Sequence, residues 1–236
     1  MSTLLLRLAG PMQSWGTQSR FTDRDTGREP SKSGVIGLVC AALGRPRDQP
    51  VDDLASLKMG VRADREGVPK RDYQTAGGTH LRGDRYGVAK ADGSRPDTVV
   101  SARHYLADAD FLVGLEGDDR ILKDIQAALA APCWQIFLGR KAFVPSVPVH
   151  MRDGFRNDTA LEEALTSEPW PRLGNSAAAG ERVPSLRLVL DSAPGEGAQV
   201  CFDLPVGAAY LHRRFVPRYV RTRYAAFGEV VPIRGG

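Results

Sequence analysis

The chain has 236 residues, 42% hydrophobic and 25% charged, with a net charge of +4, which suits a globular protein of one large domain or two small ones. Its cysteines, Cys40, Cys133 and Cys201, have no CxxC spacing, which argues against a zinc site or disulfide framework and makes a reducing cytoplasm the expected compartment. No apolar run reaches the roughly 18 residues of a membrane span, and the N-terminus lacks a signal-peptide pattern.

Thr3 to Ala9 is apolar and stops at Gly10-Pro11, which predicts a strand. The chain then turns polar around a lone Trp (GPMQSWGTQSRF), where no ordinary core element is expected. After the loop DRDTGREP, the stretch SKSGVIGLVCAALG predicts a helix, capped by Ser31 or Ser33 and ended by Gly44. A strand is expected from about Lys58 to Ala63. From Val68 to about Ser101 the residues are Gly, Arg, Asp and Thr with little periodicity, and we read a long excursion, an irregular hairpin. ADFLVGLEG predicts a strand, DDRILKDIQAALAAP an amphipathic helix, and CWQIFLG a further strand. That order, βαββαβ, predicts an α+β ferredoxin-like palm over residues 1–148 with an insertion at about 68–103. Residues 149–236 are expected to form a smaller β-rich region. It holds a short acidic helix (DTALEEALTSE), a Gly/Ala loop, two strands (SLRLVLDS, AQVCFDLP) and a basic aromatic tail.

The positive charge is 26 Arg and 6 Lys. Arg presents a planar fork that suits phosphate and stacks on bases, although GC-rich coding also writes Arg for Lys. Residues 1–47 hold seven basic and three acidic side chains, and residues 203–236 hold six and two. Both ends of the chain are therefore basic, which suggests a basic face and an anionic partner.

Five segments are candidate contacts, each with a plainer account. Ser31, Lys32, Ser33 and Gly34 at a helix start, with Arg28 nearby, suit an anion; simple capping is the alternative. No Walker pattern is present. Gln13 and Trp15 suit a base edge and a base face; a Trp folded over the core rim is commoner. Arg71, Arg82, Arg85, Arg95 and Arg103 alternate with Gly and Tyr in the excursion, either as a grip on phosphates and bases or as a solvated loop. Gly139, Arg140 and Lys141 form a turn presenting two cations, or a surface hairpin. The tail places Arg213, Arg214, Arg218, Arg221 and Arg223 among aromatics, where a charged edge strand is the plain reading. For catalysis, His104-Tyr105 is the one local pair suited to RNA cleavage, yet neighbours on a strand face opposite ways. No carboxylate cluster suggests a metal nuclease.

Taken in order, RLAGPMQSWG, TGREPSKSGVIGLVCAALG, RDYQT, SARHYLADADFLVGL and FLGRKAFVP resemble CRISPR-associated protein family five, of the RAMP superfamily. The resemblance runs from the first strand to about residue 150; beyond that it rests on length and general character. It implies an RRM-like, ferredoxin-like palm with a protruding thumb. It implies a non-catalytic subunit of the type I-E Cascade surveillance complex, without cofactor or metal, that holds the 5′ handle of crRNA. The large PAM-reading subunit and a backbone subunit would be its neighbours, with target DNA close by and no membrane. Sequence recognition of that target would belong to guide pairing. By position, Gln13, Trp15, Arg20, Arg28, Ser31, Lys32, Ser33, Arg71, Arg82, Arg103, Gly139, Arg140 and Lys141 would face RNA. The resemblance gives His104 no role. Two alternatives stand beside it. One is a metal-independent crRNA-processing endoribonuclease, as in type I-C relatives, using His104, Tyr105 or Lys90. The other is a general RRM-like module, against which the missing RNP aromatic pattern counts.

Overall fold

The structure, a computed structural model, describes residues 1–16, 22–79, 85–86, 98–170, 185–195 and 197–225. β1 (Ser2–Ala9) is apolar and almost wholly buried. The loop after it carries two short strands, β2 (Met12–Gln13) and β3 (Asp23–Arg24). α1 (Lys32–Leu43) starts where the Ser31 side chain accepts from Gly34 N and stops at Gly44, whose φ of +69° is a left-handed cap that glycine adopts without strain. α2 (Asp52–Ala55) leads into β4 (Lys58–Arg65). The excursion contains β5 (Val68–Ala76), β6 (Gly78–Thr79), β7 (Arg85–Tyr86) and β8 (Val99–Ala107). β9 (Asp110–Gly117), α3 (Asp119–Ala130), β10 (His150–Arg156) and α4 (Leu161–Ser167) follow. β11 (Leu186–Ser192), β12 (Gln199–Pro205), α5 (Ala209–His212) and β13 (Phe215–Ala225) complete the described elements.

One seven-stranded sheet, ordered β10-β1-β9-β4-β11-β13-β12, forms the body. Alternation along β1 splits its side chains between two cores. Leu4, Leu6 and Leu8 join Val35, Val39, Leu122 and Ile125 under α1 and α3. Leu5 joins Leu112, Leu161, Leu165 and Leu188 under α4. The strands after residue 149 do not build a sheet of their own. β10 pairs with β1, and β11 pairs with β4.

Three expectations change. No strand forms over Cys133–Gly139. The amides of Cys133 and Trp134 donate instead to the carbonyls of Ala42 (2.9 Å) and Ala41 (3.0 Å), filling the open acceptors at the end of α1. The strand that flanks β1 there is β10. The base of the excursion is regular, with β5 and β8 in antiparallel register from Val68–Ala107 to Ala76–Val99. The basic tail strand β13 is internal, between β11 and β12, and β12 is the edge.

The loop after β1 is drawn along the hairpin. β2 pairs with the end of β8, and β3 runs parallel to β8 with Arg24 opposite Arg103.

Candidate nucleic-acid interface

A cleft of about 310 Å³ opens where these parts meet. Its walls are Ser14–Gly16, the Arg24-Asp25 segment and the first turn of α1 (Ser31, Ser33, Gly34). The turn at Gly139-Arg140 and the tail residues Tyr210 and Phe215 close it. Five of the sequence candidates therefore converge: Trp15, Ser31, Ser33, Gly139 and Arg140. Arg24 and Tyr210 were not anticipated. Tyr210 Oη donates to Ser33 O (2.6 Å) across 177 positions, and nothing local in AAYLHRRF signals it.

Trp15 lines the floor of the cleft and Gln13 backs it, both almost wholly buried. Gln13 Nε2 donates to Leu8 O (2.9 Å) and Ala109 O (2.8 Å), and its Oε1 accepts from Trp15 Nε1 (3.1 Å). With Trp15 1% exposed, no base can stack on its face. A Cβ on Gly34 would lie 2.8 Å from Trp15 Cε3, so the missing side chain there admits the indole to α1. The expected base contacts at Gln13 and Trp15 are corrected accordingly. Both polar groups are buried, and burial obliges them to bond each other and the backbone.

Lys32 is likewise turned inward, 4% exposed. Its Nζ pairs with Asp191 Oδ2 (2.8 Å), and its backbone N donates to Asp203 Oδ2 (2.6 Å). Arg218 closes the network through Asp191 and through Asp203 (Nε–Oδ1 2.6 Å). The positive end of α1 thus already holds an anion, the protein's own Asp203. Phosphate capture by Lys32 is corrected to an internal ion-pair role. Arg28 is exposed and outside the cleft wall, and its carbonyl accepts from Arg187.

The cations beside the cleft lie at the base of the hairpin. Arg140 Nη2 donates to His104 O (2.8 Å) and Arg24 O (3.3 Å), and its guanidinium rests over Phe143 at 5.3 Å. Burial, with the Arg103 guanidinium second, holds the Arg140 pKa below the usual arginine value, though arginine stays charged in proteins. Among the described residues, Arg24, Arg103 and Arg140 form no ion pair within 4.0 Å. Asp25 and Asp72 lie near enough to moderate the field at Arg140. Gly139 sets this turn: at φ +90°, its Cβ would lie 1.8 Å from Ser14 O. Lys141 is exposed and faces a separate groove.

Arg71 falls on the other side of the hairpin. It pairs in register with His104, one step from the Asp72–Arg103 pair, so its side chain and that of Arg103 leave opposite faces. It stacks on Tyr73 at 4.9 Å. Arg20 and Arg82 lie outside the described residues. His104 approaches Asp23 at 3.5 Å, while Tyr105 turns inward onto Phe143. The pair does not converge on one point.

The family described as CRISPR-associated protein (Cas_Cas5) matches residues 3–221. The chain belongs to this Cas5 family. The CRISPR system Cascade subunit CasD of Escherichia coli (strain K12) is 36% identical over 155 residues. That alignment covers 60% of this Cas5 chain and 66% of the relative, just under two thirds of its length. A solved structure described as "Crystal structure of Cas protein" superposes with a TM-score of 0.75 at 39% identity, covering 98% of each chain. A chain of a "CRISPR RNA-guided surveillance complex" gives 0.77 at 36% identity, covering 98% of this chain and 95% of that one. Among the described residues of this Cas5 protein, no helix is long and apolar enough to cross a membrane.

Proposed function

We propose that this protein is the Cascade subunit that grips the 5′ handle of crRNA, a structural ribonucleoprotein component rather than an enzyme. The observation that carries the reading is the cleft itself. Three guanidiniums that form no ion pair among the described residues meet at the base of a long hairpin, beside a pocket large enough for a nucleotide. Single-stranded RNA is held through such phosphate contacts, and a hooked strand fits a concave site better than a duplex does. The relative named as a Cascade subunit and the similar chain of a surveillance complex agree with it. The order β10-β1-β9-β4, with α1 and α3 on one face, supports a ferredoxin-like RAMP palm, and the β5–β8 hairpin its thumb. In this reading the PAM-reading subunit, a backbone subunit and target DNA are neighbours, and the compartment is the cytoplasm. The divergence of His104, toward Asp23, from Tyr105, packed on Phe143, supports the non-catalytic role.

The test is binding and cleavage read together. Purified protein is titrated with labelled handle RNA over a salt series in chelator. Tight, uncleaved binding is expected, and Arg24→Ala with Arg103→Ala should make the salt slope shallower by about 0.7 for each phosphate no longer neutralised. An unchanged slope removes these arginines from the site. Cleavage that survives chelator would make the protein a processing enzyme.

A further inference from the structure

A second groove, of about 390 Å³, lies on the far side of the Gly139–Lys141 turn. Its floor continues the face of α1 that floors the cleft. Ser33 and Gly34 line the cleft, and Gly37 and Ala41 line the groove at the next helical turns. Its walls are Trp134 and Phe137, with Arg47 and Lys141 at the mouth. Trp134 is 48% exposed, an unusual placement for the largest apolar side chain. Its backbone is tied to the end of α1, the amide donating to Ala41 O at 3.0 Å. Arg47 and Lys141 are both exposed and, among the described residues, have no carboxylate within 4.0 Å. Arg45, by contrast, is bound to Asp53 at 2.6 Å and serves the fold.

An exposed aromatic face flanked by two cations that are unpaired among the described residues suits one chemical unit: a planar base attached to a phosphate. We propose that this groove is a second nucleotide subsite, in which Trp134 stacks on a base of the strand leaving the cleft and Arg47 and Lys141 hold its phosphates. The Arg140–Lys141 turn is then a ridge that the strand crosses, one cation facing each side. The inference rests on the RNA-binding reading above.

The experiment uses the full-length protein and labelled single-stranded handle RNA extended at its 3′ side. The chain has three Trp, and Trp15 is buried, so a difference spectrum against Trp134→Phe isolates the emission of Trp134. RNA should quench that emission and shield it from iodide. Trp134→Ala should lower affinity at least about five-fold, Trp134→Phe much less. Arg47→Ala and Lys141→Ala should each make the salt slope shallower. If wild type and Trp134→Ala bind alike while Arg24→Ala with Arg103→Ala binds weakly, this subsite is wrong and the cleft stands. If Trp134→Ala binds RNA normally but fails to join the other subunits, the groove belongs to a protein partner and the proposal falls. If wild type binds no RNA, the handle-binding function itself falls, and the subsite with it.

Discussion

Gly139 holds a left-handed φ of +90° against the Ser14 carbonyl, where a Cβ would overlap the oxygen. Gly139→Ala should therefore push the Arg140 turn off the loop after β1. The expected outcome is weaker RNA binding together with a loss of about 2 kcal/mol or more of stability, read by titration and by denaturant unfolding. Trp15 offers the opposite diagnosis. Trp15→Ala should cost about 3–5 kcal/mol, because it removes a large buried ring and strands the Gln13 amide oxygen. If unfolding is unchanged and only RNA affinity drops, Trp15 is a surface stacking residue after all. Gln13 and Trp15 carried no local mark of their fate. The same polar, Trp-bearing loop serves a ligand when it faces outward and a buried hydrogen-bond relay when it folds inward.

Each end of α1 is completed by a distant segment. Asp203 caps its start through Lys32 N, and Cys133 and Trp134 cap its finish. Asp203→Ala should leave Arg218 to share Asp191 with Lys32 and strip Lys32 N of its acceptor, costing about 3 kcal/mol, with faster hydrogen exchange at the start of α1. Retained protection would show that the carboxylate is dispensable. α4 is capped the same way. Ala160 supplies no side-chain cap, and Glu116 Oε2 accepts from Leu161 N at 2.7 Å while its Oε1 pairs with Lys58. Burial alone would raise the Glu116 pKa, but the Leu161 bond and Lys58 outweigh it and hold it below the usual 4.5. The native pKa is the lower one, so the stabilisation is present above the unfolded value and is lost as pH falls through the native one. Glu116→Gln should therefore unfold more easily than wild type at neutral pH, with the gap closing below about pH 4. A gap independent of pH would mean that charge plays no part. α1, α3 and α4 were legible, since Ser31, Gly44 and the apolar faces are local signals; the four-residue helices α2 and α5 were not. CWQIFLG was not, because its apolar run suits a strand and its amides found a helix end instead.

At the scale of the whole molecule, one sheet binds the two expected regions together. β10 covers the β1 edge, β11 covers β4, and α4 closes the second core. A fragment ending at residue 148 would lose all three, together with Tyr210 and Phe215 from the cleft. It should show neither cooperative unfolding nor RNA binding, as followed by circular dichroism and titration; a fragment that melts cooperatively would establish an independent palm. The arginine excess also divides at this scale. Arg62, Arg187 and Arg218 are tied into ion pairs with Asp64, Glu29, Glu66, Asp191 and Asp203. Arg24, Arg103, Arg140 and Arg47 form no ion pair among the described residues. Composition counted both groups as one.

By itself the sequence determined β1, α1, β4, β9, α3, α4, β11 and β12, the insertion, the basic character and, through its ordered motifs, the family. These depend on local periodicity, capping and turn residues, which neighbours in the chain carry. Only the tertiary structure decided which candidates line the cleft and which are buried. Lys32, Gln13 and Trp15 point inward because carboxylates and carbonyls from residues up to 171 positions away, in Asp203, were there to meet them. Arg24 and Arg103 meet because a parallel pairing sets them side by side. Long-range pairing of charge and hydrogen bonds fixes side-chain direction, and no local pattern encodes it.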